Sequence, residues 1–133
     1  MAVVLDGKEV ARKIRQNLKE EVSKLKEEGI SPKLAVIMVG DDSASKIYVR
    51  NKSIACNEIG IEYEEYLLNE ETTMDELLSL IDKLNNDKTI NGILLQSPIP
   101  KKLDINEAFK AIDPIKDVDG FNPMNVGKLC LGQ

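Results

Sequence analysis

The first forty residues combine one long amphipathic segment with one short apolar run. Apolar residues recur every three or four positions from 10 to 25, with lysine, arginine and glutamate between them. This period is typical of a helix with one buried face. The segment 34–39 is apolar throughout and ends at Gly40. A continuous short run of this kind predicts a strand covered on both faces, as in a parallel sheet.

The alternation of helical and strand patterns continues along the chain. The remaining predicted elements are strands over 61–68 and 92–95, a helix over 44–59, and helices that begin after Thr73 and after Asp104. Helices between strands imply parallel pairing, so we predict an α/β fold: a three-layer domain with a mostly parallel sheet and helices on both faces. Residues 113–133 show no clean period and no cap, and no further element is predicted there. That tail either wraps over the domain or marks where a longer chain was cut.

Composition removes several classes of function. The chain has 133 residues, enough for one domain or one piece of a larger protein, and a net charge of -5. A general nucleic-acid or anionic-membrane binder needs an excess of cations. Histidine is absent, which excludes catalytic triads and metal sites built on that residue. No apolar run is long enough for a signal peptide or a membrane span, so we expect a cytoplasmic protein.

The two cysteines are not candidates for metal or disulfide chemistry. Cys56 and Cys130 lie too far apart in the sequence for a CxxC redox or zinc unit. In a reducing cytoplasm both thiols are expected to stay free. Both are predicted to be buried structural residues, as free cysteines usually are.

Open α/β sheets bind ligands beyond the carboxyl ends of their strands. That rule selects the segments 40–52 and 96–100, which face one crevice if their strands are neighbours. On the helix after the first strand, a single stripe carries a hydroxyl, a phenol, an amine and a thiol: Ser45, Tyr48, Lys52 and Cys56. The adjacent apolar face is predicted to pack: Ile47, Ile54 and Ala55. Spacing alone favours a solvated stripe with a snorkelling lysine.

Three other polar features are candidate ligand sites. Gln96 ends an apolar strand, and a buried amide there needs partners, either a neighbouring ammonium or nearby backbone. In the turn 116–121, Asp117 and Asp119 lack the further ligands of a calcium loop. We expect one aspartate to cap the turn and the other to accept hydrogen bonds from a ligand. The segment 40–43 has no dinucleotide fingerprint, and its acids would repel phosphate.

Three long segments then stand in a fixed order: VGDDSASKIYVRNK (39–52), GILLQSPIP (92–100) and PIKDVDGF (114–121). Together they resemble the bifunctional methylenetetrahydrofolate dehydrogenase/methenyltetrahydrofolate cyclohydrolase family, and NVGKL (125–129) is similar to its next segment. The resemblance runs from Leu5 to the end of the chain. It implies a two-domain enzyme of one-carbon metabolism, whose first domain holds the folate and whose second, Rossmann domain holds NADP. That enzyme oxidises methylenetetrahydrofolate to methenyltetrahydrofolate and hydrolyses the latter to formyltetrahydrofolate.

The resemblance also implies roles for individual side chains. Lys52 matches the catalytic lysine, Gln96 its glutamine partner, Tyr48 the tyrosine that stacks on the folate, Asp119 the aspartate that binds the pterin, and Ser45 and Pro98 positions that line the same pocket. An amine in a partly closed apolar pocket loses solvation and can exchange protons with water. A neutral amide can hold that amine without adding charge. Ser97 and Asn122 stand where the family usually has leucine and histidine, which puts affinity rather than reaction class in question.

Residues 1–133 are therefore expected to form the folate-binding catalytic domain, without a cofactor-binding residue or a metal. NADP would belong to a second domain that is absent from this chain, which looks truncated. A reduced folate is the expected partner; nucleic acid and membrane are not. The parent enzyme is expected to be a homodimer and this piece a monomer. Two alternatives stay open: a folate-binding fragment without activity of its own, and a structural α/β domain in which the motif residues only pack.

Overall fold

The computed structural model describes residues 2–133; Met1, the first residue of the predicted domain, lies outside that range. The elements within it are α1 (Gly7–Glu27), β1 (Lys33–Val39), α2 (Ser43–Ile59), β2 (Glu62–Leu68), α3 (Met74–Asn85), β3 (Gly92–Gln96), α4 (Ile105–Ala111) and α5 (Pro123–Cys130). Helices and strands alternate as far as α4, so the predicted α/β class and its element order are confirmed. No helix between residues 2 and 133 is both long enough and apolar enough to cross a membrane.

The three strands form one parallel sheet in the order β2-β1-β3. β1 is central, and its residues 35–39 are all buried, which explains why its sequence is apolar at consecutive positions. Alternate side chains point to opposite faces of the sheet. Ala35, Ile37 and Val39 join the core beneath α3 and α4, while Val36 and Met38 join a smaller cluster beneath α2. The expected helices on both faces are thus present.

Side-chain caps set the starts of the helices. Asp42 accepts a hydrogen bond from the backbone of Ser45 at the start of α2, and Thr73 accepts one from Glu76 at the start of α3. Gly60 ends α2 with a φ of 88°, a left-handed conformation that favours glycine. Because these local signals were readable in the sequence, the predicted positions of both helices are close to the observed ones.

The tail departs from the prediction, because it contains the helix α5. Asn122 caps it by accepting a hydrogen bond from Met124, and Pro123 occupies its first turn. This Asn-Pro pair was the signal that could have indicated the helix. α5 has only eight residues and none of them is buried, so it carries no apolar period for a pattern to detect.

The packed face of α2 also differs from the prediction. Ile47 and Ile54, expected to be packed, are 61% and 47% exposed. The side chains that face the protein interior are Ser45, Val49, Cys56 and Ile59. Two members of the predicted polar stripe are therefore buried, so the stripe is not simply a solvated face. Hydrophobicity alone misassigned this face because buried polar groups with hydrogen-bond partners can replace apolar ones.

The two cysteines have opposite environments. Both are free, as expected, but only Cys56 is buried, whereas Cys130 is exposed on α5. The prediction that both thiols are buried is therefore wrong for Cys130. It failed because the helix that carries this residue has no buried position.

Candidate active site

The predicted crevice lies at the carboxyl ends of β1 and β3. These strands are neighbours, and Met38 of β1 pairs with Gln96 of β3 in parallel register. The segments that follow them, 40–52 and 96–100, consequently leave the sheet side by side. Only three residues separate the end of β1 from the start of α2, which carries the first turns of α2 over this edge of the sheet. The crevice was expected only if these two strands are neighbours, and β1 and β3 are neighbours in the sheet.

Lys52 and Gln96 are in direct contact in this crevice. The Lys52 ammonium donates to Gln96 Oε1 across 2.6 Å. Lys52 is half-buried and Gln96 is 9% exposed. Lysine can only donate, so the amide must present its oxygen. Because the amide is neutral, it holds the amine without supplying the negative charge that would favour the protonated form.

The other end of the Gln96 amide binds backbone. Its Nε2 donates to the Ser97 carbonyl across 3.2 Å, and Ser45 Oγ donates to the same carbonyl across 3.3 Å. The two sequence interpretations of Gln96, a lysine partner or a backbone partner, are therefore both correct. Ser45 is only 1% exposed, so its hydroxyl faces protein rather than an open pocket. The Ser97 carbonyl has no sequence signature, and reasoning from side chains missed it.

Tyr48 and Pro98 lie at the exposed margin of the same region. Tyr48 is 58% exposed, one turn before Lys52 on α2, and its ring is free to contact a flat ligand. Pro98 follows a cis peptide bond from Ser97. It lines a cleft of about 340 Å³ with Gly40 and Glu70, at the far ends of β1 and β2. A larger cleft of about 560 Å³ lies elsewhere, between α1, α2 and the start of β2, and holds none of the predicted site residues.

Asp117 organises the loop before α5. Its carboxylate accepts hydrogen bonds from the Gly120 and Asn122 backbone, at 3.2 and 2.8 Å, and from Asn125 Nδ2 at 2.9 Å. The structure thus places Asp117 in the capping role expected of one of the two aspartates. Asn125, which sequence reasoning did not single out, also donates to the Pro114 carbonyl across 2.9 Å.

The same loop is attached to the edge of the sheet. Ile93 donates to the Lys116 carbonyl across 2.7 Å and accepts from Val118 across 3.4 Å. Gly92 makes this approach possible, because a Cβ there would lie 2.7 Å from Val118 Cγ2. These contacts hold Val118, and the hydrogen bond from Gly120 to Asp117 holds the residue on the other side of Asp119, the aspartate left for a ligand.

Asp119 lies within electrostatic reach of Lys52. Its side chain is exposed, yet the protein beneath it removes enough water to raise the pKa of the carboxyl above 3.8. The Lys52 charge acts in the opposite direction, and Asp117 adds to the increase. A carboxylate near an amine can bind a ligand that carries N–H donors.

A metal centre finds no support in this site. Among residues 2–133 there is no group of three or more histidine, cysteine, aspartate or glutamate side chains arranged to hold an ion. Asp117 already accepts three hydrogen bonds from protein groups. The chemistry available to the crevice is therefore proton transfer and hydrogen bonding by Lys52, Gln96 and Asp119.

Comparison with known families agrees with this geometry. The model of the family described as "Tetrahydrofolate dehydrogenase/cyclohydrolase, catalytic domain" matches residues 5–119. The "Bifunctional protein FolD" of Acetivibrio thermocellus is 56% identical over 131 residues, which are 98% of this chain and 46% of that protein. The protein of the same name from Geotalea daltonii is 53% identical over 133 residues, which are 100% of this chain and 48% of that protein.

Solved structures with the same fold include two named enzymes. The bifunctional FolD methylenetetrahydrofolate dehydrogenase/cyclohydrolase of Campylobacter jejuni superposes with a TM-score of 0.96 at 48% identity, covering 98% of this chain and 46% of that one. The Trypanosoma brucei dehydrogenase-cyclohydrolase, complexed with NADP cofactor and inhibitor, gives 0.92 at 35% identity, covering 96% and 44%. The chain spans about half the length of the curated relatives it matches.

Proposed function

We propose a function for this chain from one premise: it belongs to the family of tetrahydrofolate dehydrogenase/cyclohydrolase catalytic domains. The chain supplies the folate site of an enzyme of one-carbon metabolism that oxidises methylenetetrahydrofolate and hydrolyses the methenyl product to formyltetrahydrofolate. The observation that carries the proposal is the hydrogen bond of 2.6 Å between Lys52 and Gln96 at the carboxyl edge of the sheet. It places the only proton-transfer group that the resemblance implies against a neutral partner, in a crevice with an exposed ring.

Hydrolysis needs a group that can take a proton and return it. Water adds to the electrophilic methenyl carbon: the new C–O bond forms, the C=N π bond breaks, and one water proton passes to Lys52 in its unprotonated form. The resulting carbinolamine opens by breaking one C–N bond as its C–OH becomes the formyl C=O; the nitrogen that leaves takes the proton back from Lys52, and the hydroxyl proton passes to solvent water. No oxidant or reductant is consumed. Gln96 holds the amine in place through both transfers by accepting one of its N–H bonds.

The remaining residues bind and orient the substrate in this proposal. Asp119 accepts two parallel N–H bonds from the amino-pyrimidine edge of the pterin, for which a carboxylate has the right geometry. Tyr48 offers its exposed ring as a stacking surface at low entropic cost. Pro98 contributes to the pocket lining. Hydride transfer depends mainly on geometry, so for oxidation this chain contributes the position of the folate.

NADP does not fit the residues of this chain. The turn between β1 and α2 is where an α/β sheet would hold a pyrophosphate, but Asp41 and Asp42 stand there and the Asp42 carboxylate occupies the helix start. We therefore place the cofactor on the part of the relatives' length that lies outside these 133 residues. We further propose that the whole enzyme is a homodimer in the cytoplasm and that this chain alone is a monomer, which sedimentation equilibrium would measure.

The test is the decay of methenyltetrahydrofolate absorbance with the 133-residue chain, with Lys52→Met and without protein. Lys46→Met is the matched control, because Lys46 is an exposed lysine on the same helix that pairs with Asp41 instead. We expect hydrolysis above background in the chain and in the control, and none in Lys52→Met. Folate binding, measured by calorimetry, should survive in Lys52→Met. Equal hydrolysis with and without Lys52 would refute its role.

A folate-binding fragment without activity of its own is the second candidate. The exposure of Tyr48 favours it, since at 58% exposed it leaves the crevice open to bulk water. In that case decay equals background while the folate still binds. Loss of both binding and hydrolysis in Lys52→Met would instead assign Lys52 to binding or folding.

A further inference from the structure

One backbone carbonyl in the crevice receives two side-chain donors. Ser97 O accepts from Gln96 Nε2 across 3.2 Å and from Ser45 Oγ across 3.3 Å. Ser45 is 1% exposed and Gln96 is 9% exposed, so water is a poor alternative partner for either side chain. Buried polar groups keep the partners that the protein provides, since losing one leaves a donor unsatisfied. These bonds therefore restrict how the amide can turn.

The orientation of the Gln96 amide matters for Lys52. A rotation of the amide by 180° exchanges its oxygen and its nitrogen. In the observed orientation the oxygen faces Lys52 and the nitrogen faces the Ser97 carbonyl. In the reversed orientation two donors would face each other at Lys52 and two acceptors would face each other at Ser97. Both contacts thus favour the observed orientation of the amide, and the Ser97 carbonyl supplies one of them.

Ser45 fixes that carbonyl to the helix that carries Lys52. The two residues lie seven positions apart on α2, about two turns, and so share one face. Gln96 and Ser97 arrive from β3. The Ser45 hydroxyl is thus a contact that ties the Ser97 carbonyl to α2, close to the pair formed by Lys52 and Gln96.

We propose that Ser45 is a positioning residue: its hydroxyl holds the Ser97 carbonyl, that carbonyl orients the Gln96 amide, and the amide oxygen stays on Lys52. The consequence for catalysis rests on the proposed function, but the orientation of the amide does not. The resemblance placed Ser45 among the residues that line the folate pocket. The structure instead gives its hydroxyl to the protein's own backbone.

The surroundings of the pair include two carboxylates. Asp119 lies within electrostatic reach of Lys52 from the loop before α5. Asp42, at the start of α2, accepts the backbone N–H of Ser45 across 2.8 Å, and this bond together with the Ser45 hydroxyl holds the pKa of Asp42 below its usual value. Asp42 is therefore a competing acceptor for that hydroxyl. Asp42→Asn keeps the helix cap but removes the charge, so it separates the two partners.

The test compares Ser45→Ala with Ser43→Ala, a control at an exposed serine in the same turn. The first readout needs no activity: hydrogen exchange of the Gln96 side-chain NH₂ in ¹⁵N–¹H spectra, assigned by its disappearance in Gln96→Leu. Removing one neutral hydrogen bond should speed this exchange about five- to tenfold in Ser45→Ala. Ser43→Ala and Asp42→Asn should leave it unchanged. Unchanged exchange in Ser45→Ala, or equal acceleration in Asp42→Asn, would overturn the proposal.

The second readout separates positioning from substrate contact. Ser45→Ala should lower kcat for methenyltetrahydrofolate hydrolysis by about five- to tenfold with KM unchanged, because only the catalytic pair is disturbed. A higher KM with unchanged kcat would instead make Ser45 a substrate contact. If the unmodified chain does not hydrolyse the folate, the proposed function fails while the exchange measurement still decides the role of Ser45. Ser45→Cys, which keeps the side-chain bulk with a weaker donor, replaces Ser45→Ala if the latter does not fold, and should accelerate exchange in the same direction.

Discussion

Gly92→Ala tests whether the loop before α5 is fixed by its contact with the sheet. Gly92 is the first residue of β3 and is buried. A Cβ at this position would lie 2.7 Å from Val118 Cγ2 and 3.3 Å from Leu34 Cδ1. Carbon atoms in contact normally lie about 3.5–4.0 Å apart. Val118 is β-branched and stiff at χ1, so the loop itself has to move to relieve the overlap.

The destabilisation caused by the steric overlap is partly offset by the stabilisation that alanine gives over glycine. Overpacking a buried site costs about 1–3 kcal/mol. Replacing glycine by alanine within a strand returns about 0.5–1 kcal/mol, because the unfolded chain loses freedom. We therefore expect Gly92→Ala to lower the free energy of unfolding by about 1–2 kcal/mol. Folate affinity should fall as well, since Val118 is the neighbour of Asp119 in the displaced loop.

A double-mutant cycle in urea, followed by circular dichroism, measures this overlap. Val118→Ala removes the Cγ2 atom, so Gly92→Ala combined with Val118→Ala should be more stable than the sum of the two single changes predicts. Gly127→Ala is the control, because a Cβ at that position of α5 meets nothing within 4 Å. It should stabilise the chain slightly, as alanine is the better helix former. Additive effects at Gly92 and Val118 would refute the contact as the cause.

Three further predictions follow from the charges and thiols. Hydrogen bonds from Tyr66 and Lys33 hold the pKa of Glu64 below 4.5. The stability that this carboxylate contributes is therefore lost as pH falls through that lowered pKa. Between about pH 6 and pH 3, the urea midpoint should consequently fall less for Glu64→Gln than for the unmodified chain. The pKa of Asp119 is raised above 3.8 because the protein beneath it partly desolvates the carboxylate, and this desolvation costs stability as pH rises through that range. Asp119→Asn should therefore keep its Tm at pH 7 while folate affinity, measured by calorimetry, drops. A thiol reagent should modify Cys130 in the folded chain and Cys56, whose pKa burial raises, only on unfolding. The first prediction is contradicted if Glu64→Gln and the unmodified chain lose stability equally in acid, and the second if Asp119→Asn has a lower Tm. The third is contradicted if the reagent labels both cysteines rapidly in the folded chain.

The features that could be predicted from the sequence are those that depend on residues close together along the chain. β1 is the central strand and is covered on both faces, as its continuous apolar run predicts. Asp42 and Gly60 marked the two ends of α2, because capping and left-handed conformations restrict residue type locally. The pairing of Lys52 with Gln96 was implied by the family resemblance, whereas the sequence pattern alone left it open beside a backbone partner; the adjacent parallel strands bring the two segments together.

The features that could not be predicted depend on contacts between distant segments. The inner face of α2 is decided by hydrogen bonds that Ser45 and Lys52 make to the segment after β3. No pattern within the helix contains that information, and hydrophobicity pointed to Ile47 and Ile54 instead. The role of the Ser97 carbonyl could not be predicted for a further reason. Every residue has a backbone carbonyl, and only the fold makes this one an acceptor for two side chains.

The two faces of the sheet divide stability from chemistry. Beneath α3 and α4 lies the larger buried apolar cluster, which includes Ile37, Leu77, Ile81 and Ile93. Beneath α2 the buried apolar cluster is Val36, Met38, Val49 and Leu94, and beside it Ser45, Lys52 and Gln96 are polar side chains with hydrogen-bond partners. A smaller apolar contact leaves room for an amine, an amide and a hydroxyl between helix and sheet. Cavity-forming substitutions on the α3 side should therefore reduce stability by about 2–5 kcal/mol without altering hydrolysis by the folded fraction. Ser45→Ala should cost only about 1 kcal/mol of stability but should lower hydrolysis by the folded protein.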